Sequence, residues 1–286
     1  MSINVDQFDE HLYILMQAAL KEDLGDGDHS TLAVIPENAR GRAVLKIKQD
    51  GILAGVQIAQ KIIHFREPTA SFIIHKKDGE DMHSGDQAFT LEASVHSILA
   101  CERLILNCMQ RMCGIATLTR QYVDSIKGYS SKILDTRKTT PGFRLLEKEA
   151  VRIGGATNHR FGLFDMIMLK DNHIDYCGGI GKALDYAFTY VQKYKPSLKI
   201  EVEARTLEDV REVMQSGKAH RIMLDNFNPS QIIQALKLID NKIETEASGG
   251  ISLNNIREYA ATGVDYISVG ALIHQAQSLD LSLKAI

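Results

Sequence analysis

Residues 199–225, KIEVEARTLEDVREVMQSGKAHRIMLD, decide the fold class of this chain. The two apolar runs IEVEA and RIMLD have the length and composition of buried strands, and residues 206–216 between them have the apolar spacing of a helix. A strand, a helix and a second strand in this order build parallel sheets, because the helix returns the chain to the same edge. The stretch therefore predicts an α/β protein.

The same alternation continues on both sides of this stretch. The runs KILD, MIMLK, IETEAS and YISVG predict further strands, with helices near residues 143–153, 179–194, 229–240 and 252–262. Six strands are too few for a closed eight-stranded barrel, which usually takes ~250 residues. We therefore expect an open, incomplete α/β barrel with a neighbour covering the gap.

The first third of the chain has a different pattern. Apolar residues at helical spacing predict a leading helix over residues 1–21, and β-like runs follow as far as residue 92. A long helix is expected from about residue 94 to 126. These patterns predict an N-terminal domain built on a small, largely antiparallel sheet, ahead of the barrel.

The composition is that of an ordinary globular enzyme, with 286 residues of which 44% are hydrophobic and 24% charged. Because 33 basic and 36 acidic residues give a formal charge of -3, we expect neither nucleic acid nor a membrane surface as a partner. The acidic start MSINVDQFDEH is unlike a signal peptide, and no apolar run approaches the ~18 residues of a membrane span. We expect a cytoplasmic protein.

Chemically useful residues end nearly every predicted barrel strand. They are Asp135, Lys170, Glu203, Asp225, Ser248 and Gly270. The carboxyl ends of parallel strands share one edge, and that edge is where barrel enzymes place their active sites. This arrangement predicts a catalytic mouth.

Two basic groups follow the first barrel strand in DTRKTTPGFR, residues 135–144. The planar fork of Arg137 suits bidentate contact with a carboxylate or phosphate, and Lys138 adds a point charge. The segment predicts an anion site, although a solvated turn is the alternative.

The segment NHRFGLFDMIMLKDNH, residues 158–173, places His159 and Arg160 before a buried strand and Lys170 at its end. The apolar run should deliver the Lys170 ammonium to the mouth. His173 is equally consistent with a purely structural role.

Carboxylates follow on the next two strands. Glu201 and Glu203 lie on the same face of their strand, because side chains alternate with a period of two. Burying two carboxylates together costs free energy unless a cation pairs with them. Glu203 and Asp225 are candidates to hold a hydrated Mg²⁺ or to face a developing positive charge directly. Salt bridges to Lys138 and Lys170 are the alternative.

The last two strands end in ASGGI and SVGAL, and loops at this position of a barrel commonly bind phosphate through backbone N–H groups. The predicted phosphate ligands are Ser248, Gly249, Gly250, Ser268 and Gly270. A polar face is also predicted on the long helix, where Arg103, Asn107 and Arg111 recur every four residues. We expect this face to contact solvent or another subunit.

Segments along nearly the whole chain resemble the quinolinate phosphoribosyltransferase family. In order they are EDLGDGDHST, ERLILNCMQRMCGIATLTRQYVD, DTRKTTPGFR, NHRFGLFDMIMLKDNH, IEVEA, LDNF, EASGGI and ISVGAL. DTRKTTPG followed by NHR and KDNH is the most specific part of the match.

The resemblance implies an α/β sandwich with dimer-forming helices over residues 1–114 and an open α/β barrel carrying the active site over residues 115–286. It implies a homodimer or higher assembly in which one sandwich covers the partner's barrel mouth. The implied reaction combines quinolinate with phosphoribosyl pyrophosphate, with Mg²⁺, and gives nicotinate mononucleotide, pyrophosphate and carbon dioxide in de novo NAD synthesis.

The family pattern also implies roles for individual residues. The quinolinate carboxylates would be held by Arg137, His159, Arg160, Lys170 and, across the subunit interface, Arg103. The catalytic residues would be Lys138, Lys170, Glu203 and Asp225, and the last two would also face the metal. The 5-phosphate would be held by Ser248, Gly249 and Gly270.

Three other functions fit parts of the pattern. A barrel aldolase or isomerase would use Lys170 as a Schiff-base amine with the same phosphate site. A non-catalytic phosphate-binding regulator would need fewer basic residues than this chain has. A transferase acting on nicotinate would need to bind one carboxylate, whereas the surplus of arginines favours a dicarboxylate.

Overall fold

The structure is a computed structural model that describes residues 5–286, with side chains from residue 7 onward. Its helices are α1 (Val5–Leu24), α2 (His29–Val34), α3 (Val56–Arg66), α4 (Val95–Ser125), α5 (Arg144–Ile153), α6 (Asp171–Cys177), α7 (Ile180–Tyr194), α8 (Leu207–Ser216), α9 (Pro229–Ile239), α10 (Ile256–Ala260) and α11 (Ala271–His274). Its strands are β1 (Arg40–Ile47), β2 (Gly51–Ile52), β3 (Ser71–Ile74), β4 (Asp81–Met82), β5 (Gln87–Ser94), β6 (Lys132–Leu134), β7 (Ile167–Leu169), β8 (Ile200–Ala204), β9 (Arg221–Asp225), β10 (Glu244–Ser248), β11 (Tyr266–Ser268) and β12 (Leu281–Ala285).

One compact unit, here the antiparallel-sheet unit, contains residues 5–120, 138–155 and 272–286 of the described chain. Its main sheet has four strands in the order β12-β1-β5-β3, and all its pairs are antiparallel. The predicted antiparallel sheet is confirmed. The sequence patterns did not predict β12, the last strand, which pairs with β1.

The antiparallel-sheet unit also differs from the expectation in its helices. The predicted leading helix is present as α1, and its first four predicted residues lie outside the described part of the chain. Residues 56–66 form α3 within a stretch expected to be β-like, and they bury Ile58, Ala59, Ile62 and Ile63 at helical spacing. The long helix α4 carries three buried cysteines, and burial raises the pKa of the Cys108 thiol to about 12, which disfavours its thiolate form.

The other compact unit, the parallel-sheet unit, contains residues 121–137 and 156–271. Its six strands, all parallel, have the order β6-β11-β10-β9-β8-β7. These are the six strands expected from the sequence, and the sheet stays open between β6 and β7, so the incomplete α/β barrel is confirmed. Neither unit is contiguous in sequence, and the domain boundary expected at residue 114 stays a prediction.

A loop segment lies along the free edge of β6. The Thr157 N–H donates to the Ile133 carbonyl at 2.9 Å, and the Asp135 N–H donates to the Thr157 carbonyl at 3.2 Å. These bonds continue the parallel pairing for one more bridge, between Leu134 and Thr157. The segment that contains His159 is thereby fixed beside the sheet.

The two faces of the parallel sheet have opposite chemistry. Ile200, Val202, Ile222 and Leu224 alternate on one face and are fully buried, where α8 packs on β8. Register pairs place the other set on the opposite face, and its charged members are Glu201, Glu203, Arg221, Asp225, Glu244 and Glu246. One face is therefore packed with apolar side chains, and the other carries the chemistry.

Among the described residues, none of the helices combines the length and the hydropathy that crossing a lipid bilayer requires.

Gly114→Ala should disrupt the packing of α4. A Cβ at this position would overlap the Gln277 carbonyl oxygen and lie 2.8 Å from its carbon, and backbone atoms cannot move aside as side chains do. We expect a loss of about 2 kcal/mol or more in the free energy of unfolding, measured by urea denaturation. Gly181→Ala is the matched control, because its Cβ would meet only the flexible end of Glu212, and it should change stability by less than about 1 kcal/mol. Equal stability of the two variants would contradict this packing.

Candidate active site

Three predicted site residues meet at the carboxyl ends of neighbouring parallel strands. Lys170 directly follows β7, Glu203 lies near the end of β8, and Asp225 is the last residue of β9. Lys170 Nζ lies 3.1 Å from Glu203 Oε1, and Glu203 Oε2 accepts the Asp171 N–H at 3.1 Å. At the mouth, the Lys170 ammonium therefore lies beside Glu203 and Asp225. We call these two carboxylates the acid pair.

The pKa of Asp225 reflects how close the two acids are. Burial, and then the charge of Glu203, raise the pKa of the Asp225 carboxyl, while Lys170 and the Asn226 side chain oppose the rise. Asp225 Oδ2 accepts a hydrogen bond from Asn226 Nδ2 at 2.8 Å. Neighbouring carboxylates favour a bound cation or a developing positive charge, as expected for either role predicted for the acid pair.

Two guanidinium groups lie close together in the same unit. Arg160 is buried, and its Nη1 donates to the Met166 carbonyl at 3.1 Å. Burial, and then the positive charge of Arg137, lower the pKa of Arg160, and nearby carboxylates, Glu203 among them, oppose this shift. Like charges held together are stabilised by an anion, and a guanidinium fits a carboxylate bidentately.

His159 lies in the interior of the parallel sheet, with 4% of its side chain exposed. Its backbone N–H donates to the buried Asp135 carboxylate at 2.8 Å. Its Nε2 lies 3.1 Å from Glu201 and 3.3 Å from Glu246. The imidazole expected to bind quinolinate thus faces two carboxylates of the protein, and its role as a substrate ligand stays a prediction.

Arg221 and Ser268 complete the group around His159. Arg221 Nη1 donates to Glu246 at 3.2 Å, and its Nε and Nη2 donate to Glu244 at 3.2 and 3.0 Å. The Ser268 hydroxyl donates to Glu246, so this residue, expected to bind phosphate, is buried here instead of lying in the glycine loops. We call His159, Glu201, Arg221, Glu246 and Ser268 the interior cluster.

In the interior cluster, His159 and Glu201 hold their protons more tightly than isolated groups would, whereas Glu246 holds its proton less tightly. Burial lowers the pKa of His159, but the hydrogen bonds and charges of Glu201 and Glu246 outweigh it and raise the pKa to about 9. Burial, and then the charge of Glu246, raise the pKa of Glu201 to about 7. Burial also acts against ionisation of Glu246, but hydrogen bonds from His159 and Ser268 lower its pKa overall. These groups interact, so the cluster titrates as a unit.

The interior cluster also has the spacing of a metal site. His159, Glu201 and Glu246 each place one ligand atom within 4.8 Å of the others. However, the imidazole is already engaged on both sides, because Nδ1 lies 2.6 Å from the Arg160 backbone nitrogen and Nε2 faces the two carboxylates. With its pKa raised to about 9, the protonated ring also has no lone pair to offer a metal at neutral pH, and the predicted metal position stays at the acid pair.

The predicted phosphate loops follow β10 and β11. Gly249 has a φ of +101°, and a Cβ there would overlap the Asn226 side chain, so only glycine fits this position. The Asn226 N–H donates to the Ser248 carbonyl at 2.8 Å, which joins the loop after β9 to the loop after β10. Gly250 is exposed, and Gly270 lies just before α11. Phosphate binding by these residues stays a prediction.

Lys138 and Arg103 belong to the antiparallel-sheet unit, and both are exposed there. Arg103 lies on α4 one turn from Leu99, which is 39% exposed. Their expected roles, at the ribose and pyrophosphate and across the subunit interface, stay predictions.

Sequence reasoning missed most of the interior cluster. The pairing of Glu201 with a cation was anticipated, but Arg221, Glu246 and Ser268 were not connected to it. A signal was present, because Glu244 and Glu246 alternate on one strand and Arg221 begins the neighbouring strand. The direction of the loop residue His159 had no such signal.

Comparison with known proteins assigns the family. The family model described as the C-terminal domain of quinolinate phosphoribosyl transferase matches residues 115–284, and the model of the N-terminal domain matches residues 28–113. The chain belongs to the quinolinate phosphoribosyltransferase family.

Individual relatives in this family agree over most of their length. A quinolinate phosphoribosyltransferase [decarboxylating] 2 of Nicotiana glauca, named as mitochondrial, is 42% identical over 94% of this chain and 81% of its own. A probable nicotinate-nucleotide pyrophosphorylase [carboxylating] of Bacillus subtilis is 44% identical over 92% of this chain and 89% of its own. The crystal structure of NadC from Streptococcus pyogenes has a TM-score of 0.89 at 38% identity, covering 100% of this chain and 99% of that one.

The interior cluster predicts how stability depends on pH. Folded His159 and Glu201 keep protons up to pKa values of about 9 and about 7, above their ordinary values of 6.5 and 4.5. Their contribution to stability is therefore present at low pH and is lost as pH rises through these two folded values. Glu201→Gln should flatten this fall by on the order of 2 kcal/mol, measured by urea denaturation across the pH range.

The control for this measurement is Glu208→Gln, because Glu208 is 77% exposed and pairs with Arg211 on the surface of α8. This variant should keep the pH dependence of the unchanged protein. An identical slope in the Glu201 and Glu208 variants would show that the interior cluster does not control the pH dependence.

Proposed function

We propose that this protein transfers the phosphoribosyl group of phosphoribosyl pyrophosphate to quinolinate and releases carbon dioxide, forming nicotinate mononucleotide and pyrophosphate in de novo NAD synthesis. The observation that carries the proposal is the placement of Lys170, Glu203 and Asp225 at the carboxyl ends of neighbouring parallel strands, with the buried Arg160 in the same unit. A pair of guanidinium groups near an acid pair suits a dicarboxylate acceptor beside a ribosyl donor. The family membership supports the same reaction.

The first chemical step makes a glycosidic bond. The pyridine nitrogen of quinolinate attacks the anomeric carbon of the ribose, and the bond from that carbon to pyrophosphate breaks with its electron pair leaving on oxygen. Because both substrates are anionic, fixed cations are needed to bring them together. The carboxylates of Glu203 and Asp225 are suited to stabilise the positive charge that develops on the sugar.

The second step removes the carboxylate next to the ring nitrogen. The bond to carbon dioxide breaks, its electron pair stays on the ring carbon, and the neighbouring positively charged nitrogen stabilises that pair until the carbon takes a proton from water. The substrate supplies its own electron sink, so the step requires no nucleophile from the protein.

Lys170 fits a binding and positioning role in this chemistry. Its ammonium is engaged by Glu203 at 3.1 Å, with 46% of the side chain exposed. A Schiff-base lysine needs instead a free amine, usually in apolar surroundings. We therefore assign Lys170 to substrate binding and catalysis by charge, with Lys138 as a second cation from the loop after β6.

A magnesium ion fits the acid pair. Each of the two carboxylates already accepts at least one hydrogen bond from the protein. The pair could therefore supply only some of the six oxygen ligands of an octahedral ion. Mg²⁺ commonly takes one or two carboxylates and keeps waters or substrate oxygens for the rest. When bound, the ion would neutralise charge on the departing pyrophosphate.

The proposed 5-phosphate site consists of Ser248, Gly249, Gly250 and Gly270 at the ends of β10 and β11. Backbone N–H groups of glycine loops bind phosphate without bringing side chains close to it. The close packing of Gly249 against Asn226 supports a fixed loop geometry. Ser268 contributes to this site indirectly, through the interior cluster.

We further propose a homodimer, or a larger assembly of dimers, in which Arg103 of one subunit completes the site of the other. Exposed Arg103 beside exposed Leu99 on α4 supports a contact surface with one charged anchor. The net charge of -3 supports a protein without nucleic-acid or membrane partners, and we propose a cytoplasmic location.

Turnover assays test the reaction directly. With the purified protein, pyrophosphate and carbon dioxide should form in equal amounts only when quinolinate, phosphoribosyl pyrophosphate and Mg²⁺ are all present. Nicotinate should react with a kcat/KM lower by roughly 100-fold or more, because one guanidinium–carboxylate contact is lost and leaves a buried charge unpaired. Arg160→Gln should reduce kcat/KM for quinolinate by a similar factor.

The control variant is Arg211→Gln, which removes an exposed arginine that pairs with Glu208 and should leave turnover unchanged. Trapping of a carbonyl substrate on Lys170 by borohydride, without pyrophosphate release, would favour an aldolase or isomerase. Equal use of nicotinate and quinolinate would favour a transferase for the monocarboxylate.

Mixed dimers test whether Arg103 is shared. Arg103→Ala and Lys170→Ala subunits should each be inactive alone. The first lacks the arginine that is donated to the other subunit, and the second lacks the lysine of its own site. Mixing them should restore about a quarter of full activity, since half of the dimers are mixed and each has one intact site. Mixed dimers that are visible by native mass spectrometry but remain inactive would refute the shared site.

A further inference from the structure

Glu147 is a fully buried carboxylate in the antiparallel-sheet unit, on the first turn of α5. Arg111 donates to Glu147 Oε1 through Nε at 3.1 Å and through Nη2 at 3.0 Å. Thr140 donates its hydroxyl to Oε1 at 2.9 Å and its backbone N–H to Oε2 at 2.8 Å. A carboxylate buried this deeply is stable because charged and neutral donors satisfy both of its oxygens.

Arg111 extends the same network to the C-terminal part of the chain. Its Nη1 donates to the Ala276 carbonyl at 2.7 Å, and its Nη2 also donates to the Ile273 carbonyl at 2.8 Å. The guanidinium therefore connects α4, α5 and the segment at the end of α11. This explains why Arg111 departs from the exposed face that Arg103 and Asn107 form on α4.

The segment fixed by this network is the one that carries two proposed substrate cations. Residues 135–143 connect β6 to α5 without forming a helix or strand of their own. Thr140 lies two residues after Lys138, and the Thr139 hydroxyl accepts a hydrogen bond from Arg144 Nε at 3.0 Å. The irregular backbone is thereby held at two consecutive residues next to Lys138.

We propose that Glu147 and Arg111 are positioning residues for phosphoribosyl transfer, which fix the main chain of residues 138–140 so that Arg137 and Lys138 are preorganised for the anionic substrates. The inference rests on the proposed function. Cations that must meet two anions contribute most when their positions are set before binding, and a loop without regular secondary structure needs such an anchor.

Two variants separate positioning from stability. Glu147→Gln removes the charge that holds Arg111, and Thr140→Val removes only the hydroxyl contact and leaves the ion pair. The control is Glu149→Gln, on the same helix, whose carboxylate pairs with the exposed Arg152 on the surface. All three are compared with the unchanged full-length protein at a temperature where circular dichroism shows each to be folded.

Glu147→Gln should lower kcat/KM for both substrates by roughly 10- to 100-fold, with a fall in kcat as well as a rise in KM, since a displacement of about 1 Å in catalytic cations has effects of this size. Thr140→Val should have a smaller effect in the same direction, and Glu149→Gln should have none. Hydrogen exchange of the peptide covering residues 138–143 should become faster in Glu147→Gln and in Thr140→Val.

Wild-type kcat/KM in folded Glu147→Gln and Thr140→Val would overturn the inference, as would unchanged hydrogen exchange in residues 138–143. If Glu147→Gln does not fold, Thr140→Val alone decides by the same two measurements. An unchanged protein that releases no pyrophosphate from the two substrates would refute the proposed function instead, and the exchange experiment would still test whether Glu147 fixes the loop.

Discussion

The buried contact of His159 with Glu201 and Glu246 is the constraint on which the candidate site depends. Charged groups removed from water are tolerated only when their partners are placed accurately, and leaving one of them unpaired costs several kcal/mol. The contact fixes the imidazole at 3.1 and 3.3 Å from the two carboxylates. Because Arg160 directly follows His159 in the chain, the cluster also fixes the main-chain position from which the Arg160 side chain extends.

Charge is distributed in two layers along the polar face of the parallel sheet. The first layer is the interior cluster, in which Arg221 and His159 form ion pairs with carboxylates of the protein. The main role of this layer is structural. The second layer lies at the carboxyl ends of the strands and combines the Lys170 ammonium with the acid pair. It is less buried than the first, and Lys170 keeps almost half of its side chain exposed. The interior cluster holds the sheet face in register, and the layer at the strand ends remains accessible to ligands.

Local sequence patterns predicted the six parallel strands and helices such as α5 and α8, because each of these elements buries a regular face within a few residues. The same patterns misassigned α3, whose isoleucines and valine also suit strands, and they did not predict β12, whose partner β1 lies near the other end of the chain. Lys170 and Asp225 were predictable because the end of a strand is a local feature. The inward direction of His159 was not, since it depends on Glu201 and Glu246 across the sheet.

The loop after β6 shows how the main chain of such a site is fixed. Asp135 and Glu147 are both fully buried, and each accepts a backbone N–H, from His159 and from Thr140 respectively. These carboxylates therefore constrain the main chain on either side of the Arg137–Lys138 pair. A backbone fixed beneath the proposed substrate cations suits a reaction that must bring two anions together.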